Sequence, residues 1–160
     1  MNERITRREL LATLAKATLS GIVLGVVSPT TALAASAPGL VVYKDPSCGC
    51  CTKWVEHLQA AGLRPVVHDR TDMDALKDSL GVPSSLRSCH TAVAGKYVVE
   101  GHVPAADLKR LVASAPKGLL GIAVPGMPAG SPGMEMGERR DRFDVIAFSA
   151  KGKTTVFARH

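Results

Sequence analysis

"LVVYKDPSCGCCTKWVEHLQAAG", from Leu40 to Gly62, is the stretch whose reading decides the fold. It opens on a short apolar, β-branched run that reads as a strand ending at Pro46. It continues as a helix, because Cys51, Trp54, Val55, Leu58 and Ala61 recur at helical spacing on one face and Gly62 follows as a stop. Cys48, Cys50 and Cys51 stand at the junction. A strand running into a helix puts unpaired backbone N–H groups and the positive end of the helix dipole beside those thiols, which favours the thiolate. Disulfide exchange and soft-metal binding are the two chemistries on offer. Exchange needs only two thiols, so the third sulfur adds weight to a metal, or to a relay between alternative disulfides.

Outward from this junction the chain keeps alternating. "RPVVHD" reads as a second strand, and "TDMDALKDSLG" as a second helix capped by Thr71 or Asp72 and ended by Gly81. "TAVAG" and "YVVEG" are two further strands joined by a tight turn at Gly95 and Lys96. "PAADLKRLVASAP" is a third helix, with Pro104 at its first position. Residues 118–141 are rich in Gly, Pro and Met and are expected to form a surface loop. "FDVIAF" and "TTVFAR" then read as a C-terminal β-hairpin. The expected class is α/β, a central mixed sheet with helices on both faces plus that hairpin.

Length and charge bound the function. The chain has 160 residues, enough for one ordinary domain. Residues 1–34 carry a basic start, an apolar stretch and a small-residue "ALA" at Ala32–Ala34, the pattern of an export signal. Within it Arg7 and Arg8 precede a weakly apolar run, which resembles a twin-arginine signal, with an ordinary secretory signal as the alternative. Residues 35–160 would then be a single exported domain, periplasmic and free of the membrane after cleavage. Removing Arg4, Arg7, Arg8 and Lys16 together with Glu3 and Glu9 lowers the net charge from +6 to +4. The remaining basic residues are scattered and aromatics make up only 4%, which argues against nucleic-acid binding. All four cysteines lie beyond the signal.

An even number of cysteines in an exported chain also fits ordinary disulfides. Adjacent Cys50 and Cys51 would close a strained ring, and Cys89 is the only distant partner, so at most one bond can close a long loop. The order of elements resembles the thioredoxin fold. In such proteins a loop carrying a cis-proline followed by Thr faces the C-x-x-C; here "SCHT" occupies that place, with His90 at the proline position and Cys89 before it. A thiol and an imidazole facing three cysteines make a soft-donor set, which suits Cu(I) or Zn(II).

"CGCCTKW", "SCHTA", "YVVEGHVPA" and "VPGMPAGSPGME", in that order, resemble a family of small exported metal-binding proteins first described only as a domain of unknown function. Its best known members are the CopG-type copper-resistance proteins. The resemblance runs from about Gly39 to the C-terminus. It implies a thioredoxin-like fold, a periplasmic location, copper bound through Cys48, Cys50, Cys51 and Cys89 with His90 as an additional ligand, and a role in copper tolerance. Cycling of the copper oxidation state, and hence a copper-dependent oxidoreductase, is implied as well.

Softer candidates surround this set. His102, in "EGHVP", would ligate metal or pin its loop; Met127 and Met134 would offer thioether sulfur or serve as apolar cover. His57 reads as an exposed helix residue and His160 as a frayed tail. The expected function is therefore a periplasmic protein holding Cu(I), with zinc as the alternative metal and other periplasmic copper-handling proteins as candidate partners. A thiol-disulfide oxidoreductase of the thioredoxin superfamily is the alternative function.

Overall fold

The computed structural model describes residues 39–160, so the export-signal reading of residues 1–34 lies outside the described residues. Seven strands form one sheet: β1 (Leu40–Lys44), β2 (Pro65–Asp69), β3 (His90–Ala94), β4 (Tyr97–Glu100), β5 (Gly121–Ala123), β6 (Asp144–Phe148) and β7 (Thr154–Arg159). Among the described residues three α-helices punctuate it: α1 (Gly49–Ala60), α2 (Met73–Ser79) and α3 (Ala105–Ser114). The strand order is β2-β1-β3-β4-β5-β6-β7. β1 with β2 and β4 with β5 are parallel, and the other neighbours are antiparallel, so the sheet is mixed.

Strand alternation sends side chains to opposite faces, and each face is covered by different helices. On one face Leu40, Val42, Ala92, Ala94, Tyr97, Val99 and Ile122 pack against Trp54, Val55 and Leu58 of α1 and Leu108 and Leu111 of α3. On the other, Val98, Ala123 and Phe148 meet Val82 and Leu86, which follow α2. The mixed sheet with helices on both faces, expected from the sequence, is what the chain forms. Trp54 is fully buried, and its indole N–H donates to the Val103 carbonyl at 2.8 Å, tying α1 to the start of α3.

Some details differ. The segment expected to be loop throughout, residues 118–141, contains β5, whose three residues are all buried between β4 and β6. A strand this short carries no readable alternation; it exists because β4 and β6 on either side supply its partners. Through β5 the C-terminal hairpin β6–β7 joins the sheet as its far edge. Asp72 is the N-cap of α2, as one of the two readings had it, but makes no side-chain cap bond because its carboxylate pairs with Arg70. Pro104 is the N-cap of α3 rather than its first residue.

Candidate metal centre

The junction between β1 and α1 presents the sulfurs. Pro46 and Ser47 turn the chain, and Cys48 becomes the N-cap of α1, placing Cys50 and Cys51 in its first turn. Cys51 continues the apolar face of α1 and is fully buried, while Cys48 and Cys50 are half-buried. Cys48 and Cys51 are joined in a disulfide, and Cys50 and Cys89 are free thiols. The sequence reading had four thiolate ligands; here two of them are locked in a bond that must be reduced before they can ligate.

Across the sheet, β3 brings the facing group. Pairing of Lys44 with His90 sets the start of β3 beside the end of β1, so Cys89 arrives next to the cysteine turn. Cys50 Sγ lies 3.5 Å from Cys48 Sγ and 3.8 Å from Cys89 Sγ. All four sulfurs lie within 4.8 Å of one another. Burial, and then the neighbouring Cys50, push the Cys89 thiol up to about 12.

Cys89 also belongs to a second group, with His90 and His102. His102 Nε2 is 3.1 Å from Cys89 Sγ, and its Nδ1 is 2.8 Å from the Pro132 carbonyl. A carbonyl only accepts, so Nδ1 carries the proton and the Nε2 lone pair faces the sulfur. His90 Nδ1 is 3.3 Å from the same sulfur. Its ring is fully buried against Trp54, with centroids 4.3 Å apart, and Nε2 has no hydrogen-bond partner. Burial holds both imidazoles below their ordinary pKa, His90 well below, which keeps them neutral and able to donate a lone pair. His90 therefore sits with Cys89 and His102 rather than within the four-sulfur group.

The Gly/Pro/Met segment lies over this site. The Ser88 hydroxyl donates to the Gly126 carbonyl, Pro132 holds His102, and Gly133 sits against the first turn of α1. Met127, 53% exposed, follows Gly126, and half-buried Met134 follows Gly133. His57 is not an idle surface residue: its Nε2 accepts the Ala105 N–H at 3.1 Å at the start of α3. His160 is not frayed either, since it pairs with Asp107 at 2.6 Å and stacks on Phe143.

One part of the site escaped the sequence. On the opposite face of the sheet, buried Glu100 accepts from Lys77 Nζ at 2.6 Å, the Ser88 N–H at 2.7 Å and the Thr91 hydroxyl at 2.6 Å. Ser88 and Thr91 flank Cys89 and His90, so this carboxylate clamps both ends of the Cys-His pair. Burial raises the Glu100 pKa, and Lys77 opposes that shift. A glutamate closing an otherwise apolar strand, "YVVE", was the available signal.

The donor set of four sulfurs and two neutral imidazoles fits a soft or borderline metal such as Cu(I) or Zn(II). No helix among the described residues is long and apolar enough to cross a membrane. Comparisons with known proteins agree with the geometry. A family described as a protein of unknown function, DUF411, matches residues 86–134. Two solved structures, of copper resistance protein CopG in its form 1 and form 2, are each 47% identical to this chain with a TM-score of 0.73. The matches cover 78% and 77% of this chain, and 98% of each CopG chain. No curated protein matches the chain.

Proposed function

Because the chain belongs to the family of copper resistance protein CopG, we propose that it is a periplasmic copper-binding protein that serves copper tolerance by holding Cu(I). The observation that carries this reading is the convergence of four sulfurs, all within 4.8 Å of one another, at the start of a helix. In the reduced protein Cys48, Cys50, Cys51 and Cys89 supply thiolates, which select Cu(I) over hard cations. His102 Nε2 and His90 Nδ1 extend the donor set on the Cys89 side. Met127 and Met134 lend thioether sulfur from the overlying segment. Zinc fits the same donors, and copper is preferred here because the similar structures are of copper resistance proteins.

Residues 1–34 act in this reading as a twin-arginine-type export signal, and residues 35–160 as one thioredoxin-like domain that folds before export. Loading with all four thiolates requires two electrons to open the Cys48–Cys51 bond. Release of copper to other periplasmic copper-handling proteins, with or without a change in its oxidation state, completes the role. The experiment is an anaerobic titration of reduced, metal-free protein with Cu(I) against a competing chelator. Tight uptake that is lost on Cys→Ser change at the four positions is expected. Full zinc occupancy with no copper uptake would overturn the reading.

A second reading is favoured by one observation, the Cys48–Cys51 disulfide at the start of α1 with its first sulfur accessible and its second buried. That division of labour suits a thiol-disulfide oxidoreductase. Rapid reduction of a test disulfide by metal-free protein, unchanged in Cys50→Ser and Cys89→Ser, would favour it over copper binding.

A further inference from the structure

With Cys48 and Cys51 bonded to each other, the two remaining thiols face one another across the site. Cys50 and Cys89 are 39 residues apart in sequence, yet their Sγ atoms are 3.8 Å apart and both are half-buried. A disulfide needs about 2 Å between sulfurs, so side-chain rotation closing about 2 Å would join them. Both anchors are already placed: Cys50 by the first turn of α1, Cys89 by the Ser88 N–H held on Glu100. Cys50 has a second sulfur near it, Cys48 at 3.5 Å. Attack there would expel Cys51 as a thiolate, and Cys51 is fully buried on the apolar face of α1, a poor place to develop charge. Cys89 is therefore the partner the geometry favours.

We propose that Cys50 and Cys89 form a second dithiol/disulfide couple, which takes small-molecule disulfides as its oxidant and closes a Cys50–Cys89 bond across the metal site. The Cys50 thiolate attacks one sulfur of the small disulfide and breaks its S–S bond. A mixed disulfide forms on Cys50, and the departing thiolate takes up the proton that Cys50 has lost. Cys89 then attacks Cys50 Sγ and breaks the mixed disulfide. The Cys89 proton passes by way of His102 Nε2, 3.1 Å away, to the second departing thiolate. Two protein thiols are oxidised and one small disulfide is reduced to two thiols.

The protein then has three sulfur states: four thiols, one disulfide, and two. The doubly oxidised state has no thiolate left and keeps only imidazole and thioether donors, so it would hold copper far more weakly; this consequence alone rests on the copper-binding reading, since the bond forms without metal. The full four-thiolate site would thus exist only when both pairs are reduced, while the singly oxidised state would keep Cys50 and Cys89 beside His90 and His102.

The test treats reduced, metal-free protein with oxidised glutathione under chelator, quenches with acid, alkylates, and maps the peptides by mass spectrometry without reduction. Alkylatable cysteines should fall from four to none, with the Asp45–Lys53 and Ser88–Lys96 segments linked. In Cys48→Ser/Cys51→Ser protein a single Cys50–Cys89 bond should still form, and Cys89→Ser should trap glutathione on Cys50. Wild-type protein that stops with Cys50 and Cys89 both alkylatable, or carries glutathione on each without a link, overturns the proposal. Because Cys48, Cys50 and Cys51 share one segment, fragmentation of the linked wild-type peptides must assign the Cys89 partner to Cys50, and that assignment keeps the test intact if a variant fails to fold. Copper uptake is read in parallel on the fully reduced and fully oxidised protein. Failure of the reduced form to bind copper would sink the copper reading without touching the thiol map.

Discussion

His102 Nε2 points its lone pair at Cys89 Sγ from 3.1 Å, and it does so because Pro132, 30 residues further along, holds the opposite nitrogen of the ring. A buried neutral imidazole beside a half-buried thiol is a pair of donors already positioned for the proposed copper site. His102→Gln keeps a polar side chain but loses that directed lone pair. Copper affinity should fall about 10- to 100-fold, the usual cost of losing a ligand or its orienting partner. Chelator competition measures it, and circular dichroism should show an unchanged fold. An unchanged affinity would remove His102 from the site.

Lys77 and Glu100 form a buried ion pair, with side chains 3% and 0% exposed. Lys77→Met leaves the carboxylate buried and uncompensated, at a cost of about 3–5 kcal/mol in urea unfolding. Lys77→Met combined with Glu100→Gln should cost less than the two changes summed. Strict additivity would show that the two groups are not coupled.

Gly133 has φ +85°, and a Cβ there would meet Cys50 O at 2.7 Å and Trp54 N at 2.8 Å. Both are backbone atoms of α1, which cannot move aside. Gly133→Ala should destabilise by about 2 kcal/mol or more and lift the segment that holds His102, weakening copper binding as well. Gly137 has φ +60° and open space around it. Gly137→Ala should cost only the backbone strain, about 1 kcal/mol, with copper binding unchanged.

Cys89 should alkylate slowly at neutral pH. Its thiol is pushed up to about 12, so the thiolate fraction and the rate should rise about tenfold per pH unit over the accessible range. Mass-resolved iodoacetamide kinetics on metal-free protein would check this. Fast, pH-independent modification of Cys89 would contradict the burial that sets its pKa.

His57 gives a pH dependence of known sign. Burial holds its pKa in the folded protein below the ordinary value of 6.5, with Glu135 opposing. The unfolded chain therefore binds more protons in the window just below that value. The contribution of His57 is fully present above the window and is lost as pH falls through the folded pKa, when Nε2 can no longer accept the Ala105 N–H. In His57→Gln the fall in thermal midpoint between about pH 7 and about pH 5 should be shallower than in wild type. Equal slopes would mean that His57 titrates freely.

How much of this was readable depended on distance along the chain. The β1–α1 junction is legible because strand and helix periods meet within a few residues of three cysteines. The three helices and the first four strands are legible for the same reason. β5 was not, since its three residues, Gly121–Ala123, are too few to carry a period, and its existence depends on β4 and β6 on either side. Glu100 and Lys77 are 23 residues apart and meet only because the Thr91–Glu100 register and the docking of α2 bring them to one face. His57 and His160 looked idle for the same reason: their partners, Ala105 and Asp107, are 48 and 53 residues away.

The sequence by itself determined that thiols stand at the start of a helix, and that a Cys-His pair opens a later strand, because both are local matters of spacing and period. Only the tertiary structure decided which sulfurs are bonded and which are free, that Cys89 lies 3.8 Å from Cys50, and which nitrogen of His102 faces it. Those are distances between segments far apart in the chain. They are fixed by sheet register, by the packing of Trp54 and by the fit of Gly133, none of which acts until the chain has folded.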